Sequence, residues 1–126
     1  MKPPATFVNE LLSSTEKAIK VRAWEKANLP IAQSTLALDL FLVIAYNTLC
    51  EQPPTLKLLF CSINFSEAGI RKHLRRMLDE GWCSLEGCPN DRRLRRVVAQ
   101  PKMLAAMTDY VAVLREAFGA ARSGHS

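Results

Sequence analysis

Apolar positions recur at helical spacing along most of the chain, which predicts a mainly helical protein. The first such pattern runs from about Ala5 to Ala27 and carries Val8, Leu11, Leu12, Ile19 and Ala23. Pro3 and Pro4 precede it, where a helix start tolerates proline, and Asn28-Leu29-Pro30 ends it. The second pattern, Ser34 to Glu51, has almost no polar face, because Leu36, Leu38, Leu40, Phe41, Leu42, Val43, Ile44 and Leu49 surround it. A helix apolar all round must be covered on more than one side, so this one is expected at the centre of the fold, with Pro53-Pro54 stopping it.

Shorter elements follow. Thr55 is placed to cap a helix over Leu56 to Ser62. Asn64 stands where a tight helix-to-helix turn calls for a left-handed residue, and Ser66 is placed to cap a helix over Glu67 to Glu80. Phe65 and Ile70 have the spacing of a hydrophobic staple around that cap. At about 100° per residue, Ile70, Leu74, Met77 and Leu78 form one apolar arc. Ala68, Lys72, Arg75 and Arg76 fall opposite it, with Gly69 and Arg71 at the edges. Gly81 ends the helix. Trp82 to Leu85 and Arg95 to Ala99 read as two arms of a β-hairpin, joined through the turn-forming Glu86-Gly87-Cys88-Pro89-Asn90-Asp91. A last helix, about Lys102 to Ala121, places Leu104, Met107, Val111, Leu114, Phe118 and Ala121 on one seam, and 119–126 reads as a frayed tail.

The 126 residues suit one domain, and 48% hydrophobic against 23% charged residues excludes a disordered chain. The formal net charge is +5, and its distribution matters more than its size. Nine of the 17 basic residues lie between Ser66 and Lys102, on the amphipathic helix and the hairpin. The start, MKPPATFVNELL, lacks the apolar run of a secretory signal, and the stretch Leu36 to Leu49 is too short for a membrane span, so a cytoplasmic protein without membrane attachment is expected. Cys50, Cys61, Cys83 and Cys88 form no CxxC pair, which points to reduced thiols and no metal site. Cys83 and Cys88 flank the hairpin, so a redox switch there stays open beside plain burial. There is no glycine-rich phosphate loop, no histidine pair at ligand spacing and no nucleophile motif, so neither an enzyme nor a cofactor is implied.

A short helix, tight turn, basic helix and basic hairpin describe a winged helix-turn-helix. A helix with one apolar and one cationic face can enter a major groove while staying tied to a core, where Arg and Lys reach guanine edges and phosphates. An arginine-tipped hairpin reaches the neighbouring minor groove, where negative potential is focused.

These residues resemble the multiple antibiotic resistance regulator (MarR) family of bacterial transcription factors. The core TLKLLFCSINFSEAGIRKHLRRMLDEGW matches the family's spacing without a gap, and DRRLRRVV resembles its wing motif of Asp, any residue, Arg, then a strand. The sequence departs from the family at Phe60, where alanine is usual, at Ala99-Gln100 and Met103 after the wing, and in having one C-terminal helix in place of two. The resemblance implies a dimeric, sequence-specific regulator of transcription, a repressor, that binds double-stranded DNA. It implies that Asp91 orients the wing and Arg93 enters the minor groove, and that the first and last helices form the dimer. DNA-binding residues are then Ser66, Ala68, Gly69, Arg71, Lys72, Arg75, Arg76, Asp91, Arg92, Arg93 and Arg95. The dimer interface takes Val8, Leu11, Leu12, Leu104, Met107, Val111, Leu114 and Phe118. The DNA-binding core spans 34–100, with the wing at 82–99.

Blander readings stand beside these. Gly69 serves close approach to DNA or is simply tolerated; His73 is a packing residue or a switch, and Trp82 belongs to the core. Trp24, Tyr46 and Tyr110 line a pocket for a small-molecule effector of unknown identity, or belong to the core. The alternative function is a winged-helix module that binds protein within a larger assembly.

Overall fold

The computed structural model of the chain describes residues 5–29 and 34–119. They form helices α1 (Ala5–Asn28), α2 (Thr35–Leu49), α3 (Leu56–Ser62), α4 (Glu67–Asp79) and α5 (Pro101–Leu114). Strands β1 (Cys83–Cys88) and β2 (Asp91–Ala99) make an antiparallel hairpin between α4 and α5, and a π-helical turn, Arg115–Gly119, follows α5. The expected class, mainly α with a hairpin wing, is the one adopted. No helix among the described residues is long and apolar enough to cross a membrane. The chain divides into two compact units, Met1–Pro30 with Thr108–Ser126, and Ile31–Met107.

In the second unit α2 is central, as its apolar surface requires: Leu40, Phe41, Ile44 and Ala45 have no exposure. It packs with both α4 and β2. Ser34 caps it, its hydroxyl accepting the Ala37 N–H at 3.1 Å. The helix stops at Leu49, ahead of Pro53-Pro54 and short of the expected Glu51. The cause is a Schellman closure, in which Glu51 N–H donates to the Thr48 carbonyl and Gln52 N–H to the Asn47 carbonyl. That closure holds Glu51 in the left-handed region at φ 62°.

Helix α3 has the expected bounds, and Thr55 Oγ1 accepts the Leu58 N–H at 3.2 Å. The turn after it differs from expectation. Asn64 is not left-handed. Instead Phe65 N–H donates to the Ile63 carbonyl at 2.9 Å, an i to i+2 bond that makes Asn64 the centre of an inverse γ-turn. Ser66 then caps α4 through Gly69 N–H at 3.1 Å. Ile70, Leu74 and Met77 are buried beneath it, while Phe65 stays 44% exposed. At its end Gly81 takes φ 80°, and Trp82 N–H and Gly81 N–H close on the Met77 and Leu78 carbonyls.

In the first unit, the inward line of α1 is not the expected one. Val21, Glu25 and Leu29 are buried, whereas Leu11, Leu12 and Ile19 are 49%, 64% and 63% exposed. Val8 is half-buried and Ala23 exposed. The last helix is α-helical only as far as Leu114, not to Ala121, which with the rest of 120–126 lies outside the described residues. Its buried side chains are Met103 and Tyr110, while the seam residues Leu104, Met107, Val111 and Leu114 are half-buried and Phe118 is 51% exposed.

Candidate nucleic-acid interface

Helix α4 sorts its cations by what they touch. Lys72 and Arg75 are exposed, and their side chains form no hydrogen bond or ion pair among the described residues. Arg76 lies 3.6 Å from the Glu80 carboxylate. Arg71 is held twice: its Nη2 donates to Glu67 Oε1 at 2.8 Å, and its guanidinium lies 4.8 Å from the centre of the Phe60 ring on α3. Ala68 is exposed and His73 half-buried. Gly69 is half-buried beside its own cap. A Cβ there would meet Ser66 Oγ at 3.1 Å and Leu36 Cδ2 at 3.4 Å, so a larger residue would have to shift the cap by a few tenths of an ångström.

The wing is longer than its expected arms. β1 continues through Glu86, Gly87 and Cys88, and β2 begins at Asp91, leaving Pro89-Asn90 as the turn. Cys88 pairs with Asp91 but Gly87 with Arg95, so Arg92, Arg93 and Leu94 bulge out of the ladder. Asp91 shapes this bulge, because its Oδ1 accepts the Arg93 N–H at 2.9 Å, an Asx-type turn. Alternation puts Arg95, Val97 and Ala99 on one face of β2. Val97 and Ala99 are buried in the unit and Arg95 stands clear of it. Arg93 and Arg95 are exposed, with no side-chain partner among the described residues. The side chain of Arg92 lies outside what the structure describes.

Two basic residues of the cluster are structural. Arg96 Nη1 donates to the Pro53 carbonyl at 2.7 Å, beside Val97 N–H on the Pro54 carbonyl at 2.8 Å, which ties β2 to the segment before α3. Lys102 lies 4.3 Å over the buried Trp82 ring and donates to the Glu80 carbonyl. The outcome is a rigid wing base with a free cationic tip.

Cys83 and Cys88 lie on one strand, roughly 16 Å apart at strand rise, beyond the reach of a disulfide between them. Burial pushes the Cys83 thiol up to about 12, so little thiolate is available for oxidation. Brief alkylation of the folded protein should modify exposed Cys50 and Cys61 and spare Cys83, as read by peptide mass. Labelling of Cys83 as fast as Cys50 would contradict this burial.

A polar cluster in the first unit escaped the sequence reading. Glu25 is 3% exposed, accepting from Arg22 at 2.8 Å and, in a short hydrogen bond, from the Tyr110 hydroxyl. Tyr110 stacks on Trp24 with ring centres 5.8 Å apart. Beside them Lys17, Lys20, Val21, Trp24, Val113, Glu116 and Ala117 line a cavity of about 490 Å³. Tyr46 belongs to the other unit and is 62% exposed. The available signal was the i, i+4, i+8 line of Val21, Glu25 and Leu29, in which the acid occupies a core position. Burial first, then the hydrogen bond to Glu25, raises the Tyr110 hydroxyl from 10.0 to about 12. A neutral acid with a raised folded pKa contributes stability that is complete below pH 10 and is lost as pH rises to about 12. In a Tyr46→Phe background, phenolate absorbance should therefore develop late, and Tyr110→Phe should remove this part of the alkaline loss of stability. Ionisation at the ordinary tyrosine pKa would refute the buried pair.

The second unit is a winged helix-turn-helix, with α3 and α4 as the motif and β1-β2 as the wing. No family model and no curated protein matches the sequence. The described fold nevertheless recurs in solved structures, and it is the MarR winged-helix fold. A MarR-like transcriptional regulator from Thermotoga maritima superposes with a TM-score of 0.66 at 18% identity, covering 97% of this chain and 83% of that one. Staphylococcus aureus MepR, as a mutant, gives 0.69 at 9% identity over 98% and 86%. A mutant of E. coli MarR complexed with operator DNA gives 0.53 at 18% identity over 87% and 79%.

Proposed function

We propose that this chain is a sequence-specific, double-stranded-DNA-binding regulator of transcription that acts in the cytoplasm as a homodimeric repressor. The carrying observation is the partner-free set Lys72, Arg75, Arg93 and Arg95, two on the second helix of the motif and two on the wing of the same unit. Cations without internal partners are free to neutralise phosphates and reach base edges. The fold shared with a MarR bound to operator DNA supports the same reading. Titration against duplex DNA at two salt concentrations tests it. Binding should weaken steeply with salt, log K falling by about 0.9 per phosphate neutralised for each log unit of salt. Saturable binding to a protein partner, with no affinity for any duplex, would favour the interaction-module alternative.

The dimer reading rests on the first unit. Leu11, Leu12, Phe7 and Ile19 are left open on α1, and Val111, Leu114 and Phe118 line one groove with Arg115 and Gly119. Val8 sits half-buried on the same helix. Leu104 and Met107, also assigned to the interface, belong to the second unit. Leu114→Glu places a charge in that groove and should yield monomers by light scattering at micromolar concentration, where wild type gives a dimer mass. A monomeric wild type would sink this part of the proposal. The cavity beside Trp24 is where a small-molecule effector would bind.

A further inference from the structure

The contacts of Arg71 set it apart from the other cations of α4. Its Nε and Nη2 both donate to Glu67 Oε1, at 3.3 and 2.8 Å, along one edge of the guanidinium. Its guanidinium carbon lies over the Phe60 ring, 4.8 Å from the ring centre. Both carboxylate and guanidinium remain 59% exposed, so the pair is not a buried structural bridge. An exposed ion pair contributes little to stability, which leaves its geometry as the informative feature.

A guanidinium has five N–H donors in a fixed plane. Glu67 occupies the Nε–Nη2 edge and leaves free the outer fork of Nη1 and Nη2. That fork has two parallel N–H bonds, the arrangement that fits the O6 and N7 acceptors of guanine in a major groove. Contact with the Phe60 ring and bonding to Glu67 restrict the guanidinium, lowering the ordering cost of a bidentate contact. Glu67 itself would repel phosphate. Its place in the first turn of α4 suits the helix dipole, and its bond to Arg71 both neutralises it and aims the fork.

We propose that Arg71 is a specificity-determining residue that reads guanine through its outer N–H fork, with Phe60 and Glu67 as positioning residues. This rests on the DNA-binding reading above and assigns a division of labour within it. Arg71 discriminates between bases, while the partner-free Lys72 and Arg75 serve the phosphates.

The test begins with selection of a preferred duplex from a random library by the full-length chain. Single base-pair substitutions across that site are then titrated with wild type, Arg71→Lys, Phe60→Leu and Glu67→Gln. At one G·C pair, wild type should prefer guanine by roughly tenfold to a hundredfold. Arg71→Lys, which keeps the charge but has no planar fork, should cut that preference several-fold, and by more than it weakens binding to random duplex. Phe60→Leu keeps apolar volume without the ring quadrupole and should lose part of the same preference, at that base pair alone. Glu67→Gln keeps an acceptor and should lose less. A duplex with 7-deazaguanine at that pair removes the N7 acceptor; it should weaken wild type more than Arg71→Lys. If a site is enriched but every variant retains the wild-type base preferences, the guanine-reading role is wrong and DNA binding stands. If no duplex is enriched and none is bound, both fall.

Discussion

Phe41→Ala is expected to remove about 3–5 kcal/mol from the stability of the chain, the cost of deleting a fully buried aromatic ring and leaving its cavity. Phe41 has no exposure and sits mid-way along α2, between Leu40 and the equally enclosed Ile44. α2 packs against both α4 and the second strand of the wing, so a void there loosens both elements together. Domains are typically stable by about 5–15 kcal/mol, so the variant should retain little margin at ordinary temperature. The check is the urea midpoint, with Tyr46→Ala as the reference from the same helix. Tyr46 is 62% exposed, and its truncation should change stability by about 0.5 kcal/mol or less. A Phe41→Ala loss no larger than that of Tyr46→Ala would mean that α2 is not the centre of the core.

The helix-turn-helix was readable because local and tertiary requirements agree there. Thr55 and Ser66 are capping residues at the starts of α3 and α4, and the apolar arc of α4 is the face that the fold buries. The two Schellman closures show where legibility stops. Gly81 announces the end of α4, since glycine adopts φ 80° without a Cβ penalty. Glu51 performs the same role after α2 at φ 62°, but a glutamate carries no such signal, so with Pro53-Pro54 as the stop the expected helix ran on to Glu51 itself. Asn64 failed in the opposite direction. Its tolerance of left-handed backbone was real, yet the i to i+2 hydrogen bond gave the chain another way to turn.

The site was legible by residue type and illegible by partnership. Sequence placed the basic residues on helix and wing, but only side-chain geometry separates Arg96 and Lys102, which hold the unit together, from Arg93 and Arg95, which do not. The bulge at Arg92, Arg93 and Leu94 depends on register, which alternation along a single short strand does not specify. Glu25 was missed because periodicity counts apolar residues, and a buried acid satisfied by Arg22 and Tyr110 is invisible to it. The exposed leucines of α1 are the converse case. They follow helical spacing, yet the buried line of α1 is Val21, Glu25 and Leu29 and the leucines stay exposed.

Partnership also predicts how the cations fail. Replacing Lys72, Arg75, Arg93 and Arg95 together by alanine should flatten the salt dependence of duplex binding by about 0.9 for each phosphate no longer neutralised. If each residue neutralises one phosphate, the slope falls by about 3.6 for the set. None of the four breaks an internal bond of the described structure, so the fold should persist, as circular dichroism and the urea midpoint would report. Arg76→Ala is the contrast, because its charge is already shared with Glu80 and the slope should change less. Asp91→Ala separates shaping from charge. It removes the acceptor for Arg93 N–H and adds net positive charge, yet should weaken binding by disorganising the bulge without flattening the slope as Arg93→Ala does. A mere electrostatic patch predicts the reverse for Asp91, since removing an acid beside phosphates would tighten binding. Tighter binding by Asp91→Ala, or an unchanged slope in the fourfold variant, would reduce helix and wing to an ordinary solvated surface.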